Sequence, residues 1–175
     1  MELTDAITKR VSIRTYQPTP IPRSLITDLI HAAHLAPSAG NLQAREFIAV
    51  DDQRQKEALA QAAYGQTFIA QAACDIVVCA DTRRIASYGP RGTHLYMIQD
   101  AAAAIEALLL LATDQGLGSC WVGAFNDRHV ADALNLPAHL VPQAIVPIGT
   151  PAEPGRPHQR RRLQIHWNTW TENTE

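Results

Sequence analysis

The chain reads as a mixed fold, α+β or α/β, and three stretches carry that reading. "DIVVCAD" (Asp75 to Asp81) is short, continuously apolar and rich in β-branched residues, the pattern of a central strand buried on both faces. From Leu25 to Ala36, apolar residues recur at Leu25, Ile26, Leu29, Ile30, Ala33 and Leu35, the stripe of an amphipathic helix. "LYMIQDAAAAIEALLLLATDQG" (Leu95 to Gly116) is helical by propensity and apolar nearly all round. Helices interleaved with four or five strands leave only those two mixed classes.

The elements follow in order. Leu3, Ala6 and Ile7 make a short helical stripe over Leu3 to Arg10. Pro18, Pro20 and Pro22 impose an extended or turning passage, with Pro22 placed for the first turn of the next helix. That helix stops before Pro37. "EFIAV" (Glu46 to Val50) reads as a strand and about Asp52 to Ala63 as a polar helix, before the central strand. "TRRIASYGPRGTH" then reads as an exposed loop, and Gly116 closes the long helix. A membrane span is disfavoured there, because Asp100 and Glu106 interrupt the apolar run. A helix apolar on every face must be buried on every face, and Ala101 to Ala104 admit a close backbone neighbour. In a domain this small a second subunit supplies that cover, so a homodimer is expected. "SCWVGAF" reads as a strand, "DRHVADALN" as a short capped helix and "VPQAIVPIG" as the last strand. The tail from Thr150 carries prolines and the arginines Arg160 to Arg162, and is expected to lie along other structure.

A length of 175 residues suits one domain, 1–175, with the tail at about 150–175. A net charge of −2 gives no reason to expect nucleic acid or an anionic membrane as partner. Cys74, Cys79 and Cys120 are an odd number without paired spacing, and the first residues lack the apolar centre of a signal peptide. A cytoplasmic location is the simplest expectation.

Four features bear on chemistry. "QGLGSCWVG" has glycines at 116, 118 and 123, but a helix precedes them and a strand follows, which rules out a dinucleotide fingerprint. Gly116 reads as a helix cap and Gly118 as a tight turn, whereas Gly123, inside a strand-like run, permits close approach of a flat ligand. "APSAGNLQ" (Ala36 to Gln43) is a turn-rich loop able to aim backbone N–H groups, the Ser38 hydroxyl and the Asn41 amide at a polar ring edge. His31 and His34 have the spacing of a metal pair but no third ligand, so no metal is expected. Arg10 and Arg14 flank Ser12 near the start, and Arg160, Arg161 and Arg162 stand near the end. Each cluster alone is an ordinary charged run, but together they suit a bidentate clamp on a phosphate.

Seven pieces in order, "RVSIRTY", "APSAGNLQ", "GQTFIAQA" before "DIVVCAD", "IQDAAAAIEALLLLA", "GLGSCWVGAF", "VPIGTP" and "HWNTW", make the chain resemble the nitroreductase family, in its shorter branch. The resemblance spans essentially the whole chain. It implies an α+β fold with a central, mostly antiparallel sheet flanked by helices, in an interlocked homodimer with the C-terminal tail extending along the dimer. FMN would lie in clefts at the interface, with NADPH or NADH as co-substrate. It further implies Arg10 and Ser12 at the FMN phosphate and ribityl end, Arg14 at the flavin N1 and C2 carbonyl edge, and Arg160 and Arg162 at the phosphate. Pro37, Ser38 and Asn41 would meet the ring from the partner subunit, and Gly123 and Ala124 would face flavin N5. Gly65 and Gln66 fall near another flavin-contacting segment. The implied activity is hydride transfer from NAD(P)H through the flavin to an electron-poor small molecule such as a nitroaromatic or quinone, with no protein side chain as catalytic acid or base. The same scaffold also admits specialised flavin chemistry, namely metabolite oxidation, dehalogenation or flavin breakdown, or a non-catalytic flavin-binding dimer. Two positions depart from the family pattern. Val11 stands where a second basic residue is usual, and Gln43-Ala44-Arg45 replaces the usual Gln-Pro-Trp, which is expected to alter the rim of the cleft.

Overall fold

The computed structural model describes residues 1–157 and 159–171, so the last four residues of the predicted tail lie outside the described residues. Four strands, β1 (Arg45–Val50), β2 (Cys74–Asp81), β3 (Gly118–Ser119) and β4 (Leu140–Gly149), form one sheet in the order β1-β2-β4-β3. Every neighbouring pair is antiparallel, which settles the class as α+β. β2 is buried along its whole length, as its unbroken apolar run requires.

The helices are α1 (Leu3–Lys9), α2 (Arg23–His34), α3 (Gln53–Ala62), α4 (Phe68–Gln71), α5 (Gly89–Arg91), α6 (Met97–Asp114) and α7 (Asp127–Leu134). They cover both faces of the sheet. On one face Ile76 and Val78 of β2 pack with Ile26 and Leu29 of α2 and Ile105 and Leu108 of α6. On the other, Val77 and Cys79 pack with Leu59 of α3, Ile69 of α4 and Val130 of α7. The alternation of β2 side chains assigns each residue to its layer. Asp52 caps α3 by accepting from the Gln55 amide, and Asn126 caps α7 by accepting from the His129 amide at 3.0 Å.

Three readings are corrected. The predicted strand "SCWVGAF" pairs with β4 only at its first residue, Ser119, next to Gly118, and rejoins β4 through a single bridge from Val122 to Ile145. Gly118 is therefore a strand residue rather than a turn. It is required by close approach, since a β-carbon there would lie 2.8 Å from the Ile13 side chain. The predicted loop "TRRIASYGPRGTH" is mostly helical turns, a 3₁₀ turn at Ala86–Tyr88, then α5, then a π turn at Gly92–Tyr96 that runs straight into α6. Glycines at 89 and 92 disguise it as a loop. The continuous helical stretch Ala86–Asp114 is long and apolar enough to cross a membrane by length and composition alone. Its α6 part packs on α2, β2 and β4, and a core helix passes the same test.

Burial of α6 is one-sided. Ala101, Ala104, Ile105, Leu108 and Ala112 are inside, whereas Ile98 is 47% exposed and Ala102, Ala103, Leu110 and Leu111 are only partly covered. The expectation that one domain leaves this helix incompletely wrapped matches that pattern.

Candidate functional site

The basic segment that follows α1 is pinned to the β3 edge of the sheet. Ser12 forms a parallel bridge with Ser119, and the Ile13 amide donates to the Ser119 carbonyl at 2.9 Å. Tyr16, buried behind it, donates its hydroxyl to the Ile13 carbonyl at 2.8 Å and reaches the Pro147 carbonyl at 3.2 Å. Alternation along this extended piece turns Ile13 into the core and leaves Ser12 and Arg14 outward.

Arg10, Ser12 and Arg14 converge around Cys120. Burial pushes the Cys120 thiol up, and Arg14, a hydrogen bond from Ser12 and Arg10 each oppose that shift. Arg10 is largely covered, and its Nε stands 3.9 Å from the more exposed Glu106 of α6, a loose pairing. Arg14 is exposed, with its guanidinium 5.9 Å from the Phe68 ring centroid, and no carboxylate forms an ion pair with it among the described residues. Val11 is the apolar exception, and the reason is local. The tail crosses this segment, and a β-carbon on Gly155 would overlap the Val11 side chain. Val11 thus packs closely against Gly155 of the tail. Beyond it Arg160 and Arg162 lie on an exposed stretch with Leu163, Trp167 and Trp170.

Gly123 and Ala124, further along the stretch that begins at Ser119, are exposed. A β-carbon on Gly123 would meet nothing closer than the Trp121 Nε1 at 4.0 Å, so this backbone has an open face. Gln66 fixes it by donating Nε2 to the Ala124 carbonyl at 3.0 Å and to the Ala63 carbonyl at 3.0 Å. A cationic fork, a hydroxyl and an open stretch of backbone form a donor set that fits a flat ligand carrying phosphate.

Pro37, Ser38 and Asn41 stand elsewhere, on the loop leading into β1 at the opposite edge of the sheet. With four strands spaced about 4.8 Å apart, the two edges are separated by roughly 14 Å. The loop is strongly shaped. Gly40, Asn41 and Gln43 all have positive φ, at 56°, 55° and 46°. The Ser38 hydroxyl accepts from the Gln43 amide at 2.9 Å, and Asn41 Oδ1 accepts from Gln43 Nε2 at 2.7 Å.

The residue that organises this loop is Arg45, which sequence reading placed on the rim. It is 1% exposed, so the rim expectation is corrected. As the first residue of β1 its side chain turns inward beneath the loop. Its guanidinium donates to the carbonyls of Pro37 at 3.1 Å, Asp100 at 3.0 Å, His34 at 2.8 Å and Ala36. Burial lowers its pKa and Asp100 opposes that shift. Asp100 in turn accepts from the Ala39 amide at 2.9 Å. A lone arginine beside Glu46 carries no sequence signal for such a role. Asp100 was visible only as an interruption of an apolar helix, which is itself a hint of a buried partner. His34 serves through its backbone carbonyl, while its ring meets Phe47 edge-on at 6.2 Å. Among the described residues no three of His, Cys, Asp and Glu converge to hold a metal.

With this geometry in place, comparison with known proteins decides the family. The profile of the Nitroreductase family matches residues 7–73 and 61–150. This chain belongs to the nitroreductase family. Among its relatives, a protein of Thermus thermophilus named NADH dehydrogenase is 32% identical, the match covering 91% of each chain. A Bacillus subtilis protein named FMN reductase [NAD(P)H] is 29% identical over 87% of this chain and 67% of its own. A solved structure of an FMN-dependent nitroreductase from Clostridium difficile superposes with a TM-score of 0.82 and 28% identity, covering 95% of this chain and 99% of that one. The nitroreductase fold agrees with the antiparallel sheet flanked by helices.

Proposed function

We propose that this nitroreductase is a homodimeric, FMN-dependent oxidoreductase that passes hydride from NAD(P)H to an electron-poor small molecule, a nitroaromatic or a quinone. The observation that carries it is the basic Arg10–Ser12–Arg14 segment, held against Ser119 of β3, in the stretch that runs on to the open backbone at Gly123 and Ala124. The relatives' names, FMN reductase and FMN-dependent nitroreductase, support the cofactor. FMN, when bound, supplies the hydride-carrying centre, so no side chain need act as acid or base.

The protein's part is binding and orientation. Arg10 and Ser12 hold the phosphate and ribityl end, joined by Arg160 and Arg162 of the tail. Arg14 places its charge where negative charge develops on the isoalloxazine, the kind of fixed donor that lowers a barrier without reorganisation. The backbone at Gly123 and Ala124 approaches the ring closely, because nothing projects from Gly123. Pro37, Ser38 and Asn41 come from the second subunit, since their loop lies at the far edge of the sheet within one chain. The half-covered face of α6 and the exposed Leu163, Ile165, Trp167 and Trp170 of the tail are the surfaces this dimer buries. Three free thiols, all buried, agree with a cytoplasmic location.

The test is an anaerobic absorption spectrum before and after NADPH or NADH, for the wild type and for Arg14→Ala. A yellow wild type that bleaches supports the reading. Arg14→Ala should bind FMN at least about tenfold more weakly, as expected for loss of a charge-assisted contact. A wild type that takes up no FMN overturns it.

A further inference from the structure

The segment between β2 and α6 builds an aromatic, cationic ledge beside the Pro37–Gln43 loop, and the flavin assignment leaves it unused. Tyr88 is 42% exposed and stands edge-on to Tyr96, with ring centroids 5.3 Å apart at 85°. Arg91 donates its Nε to the Tyr96 hydroxyl at 2.9 Å, and its guanidinium carbon lies 5.3 Å from the Tyr96 ring centroid. Neither group is a loosely solvated side chain. A β-carbon on Gly92 would lie 2.8 Å from Tyr88 Cβ and 2.6 Å from the Ile85 carbonyl oxygen. One on Gly40, which also has φ +56°, would lie 2.5 Å from the Tyr88 hydroxyl. Tyr88 is therefore seated between two glycines, one on its own segment and one on the loop. The π turn at Gly92–Tyr96 brings Tyr96 round to Arg91, and such wide turns recur at functional sites. Arg84 ties the same segment to the loop by donating to the Gln43 carbonyl at 3.1 Å.

Arg84 spends its charge on Glu46 and Asp81, whereas Arg91 is exposed and has no carboxylate partner among the described residues. Holding only Tyr96, Arg91 keeps the outer edge of its planar fork for a ligand. A fork already immobilised on an aromatic ring loses little freedom on binding and matches the oxygens of a phosphate monoester.

We propose that this ledge binds the adenosine end of NADPH, with Arg91 taking the 2′-phosphate and the exposed face of Tyr88 stacking on adenine, so that the protein selects NADPH over NADH. The proposal rests on the flavin reading above, because the loop that Tyr88 touches is the one assigned to the flavin. NADH lacks the phosphate, so discrimination falls on Arg91. One charge-assisted phosphate contact corresponds to roughly a tenfold to hundredfold preference.

The experiment is titration calorimetry on the FMN-loaded protein with adenosine 2′,5′-bisphosphate and with 5′-AMP, which differ only in the 2′-phosphate. The wild type should bind the bisphosphate at least about tenfold more tightly. Arg91→Ala, an exposed substitution unlike one in the core, should bring the ratio close to one, with Arg91→Lys between them because it keeps charge without the fork. Equal binding of the two probes by the wild type, or a ratio that survives Arg91→Ala, overturns the proposal. FMN uptake is read by absorption on the same samples. A protein that takes up no FMN sinks the flavin reading and is titrated as the apo protein, where the ratio of probe affinities still decides the ledge.

Discussion

Arg45 holds four backbone carbonyls with one guanidinium, those of His34, Ala36 and Pro37 at the end of α2 and that of Asp100 on α6. Replacing it by methionine fills the volume but leaves those carbonyls unmet in a dry site. Arg45→Met should therefore cost about 2–4 kcal/mol in urea denaturation. Amide exchange at Ala39 and Gln43 should speed up more than exchange in β2, because the loop loses its anchor while the sheet does not. Asp75 poses the opposite problem. It is fully buried on β2 and neither carboxylate oxygen has a hydrogen-bond partner among the described residues. Burial pushes its pKa well above the usual carboxylate value, against the opposing charge of Lys56. In the unfolded chain the proton leaves near pH 4, whereas the native state keeps it. Stability is thus undiminished by this group below that pH and falls as pH rises toward the native pKa. Asp75→Asn should gain on the wild type between pH 4 and neutrality, as read from urea midpoints. A difference that is flat in pH would show that Asp75 is ionised in the folded protein.

The extended piece from Ser12 to Tyr16 and its partner β3 work as one element, and two glycines separate their structural and binding roles. Gly118 lies against Ile13, so Gly118→Ala must displace the strand that carries Ser12 and Arg14. A loss of about 1–3 kcal/mol is expected, visible as a lower melting temperature in the apo protein. Gly123 has open space where its β-carbon would go. Gly123→Ala should leave the apo melting temperature within about a degree or two, in line with a neutral surface change. It should nonetheless weaken FMN in a fluorescence-quenching titration, because the methyl group occupies the approach assigned to the ring. If Gly123→Ala binds FMN as well as the wild type, the ring does not sit there.

For the whole molecule, the decisive quantity is how much apolar surface one chain leaves open. Leu163, Ile165, Trp167 and Trp170 are 65–83% exposed, and the outer face of α6 is partly bare. A tail of this composition has no core of its own, and the proposed dimer would cover both surfaces. Sedimentation equilibrium should give a dimer for the full chain. Truncation after Gly155 should weaken both the dimer and FMN binding, since Arg160 and Arg162 go with the tail. A full-length monomer that still binds FMN tightly would refute the two-subunit site.

Sequence alone determined what depends on local pattern. The β2 run, the α2 stripe, the all-apolar α6 and the cap at Asn126 are set by side-chain period and by the hydrogen-bonding needs of helix ends. The family segments were legible for the same reason, being contiguous strings such as "RVSIRTY" and "GLGSCWVGAF". Tertiary structure decided what depends on separation. It alone turned Arg45 inward onto carbonyls of His34, Ala36, Pro37 and Asp100, pressed Gly118 onto Ile13, and put Val11 under Gly155. It also set the loop of Ser38 and the segment of Ser12 at opposite edges of one sheet. Contacts between residues tens of positions apart leave no periodic trace in a chain, because they are fixed by how its layers pack and not by the neighbours each residue has in sequence.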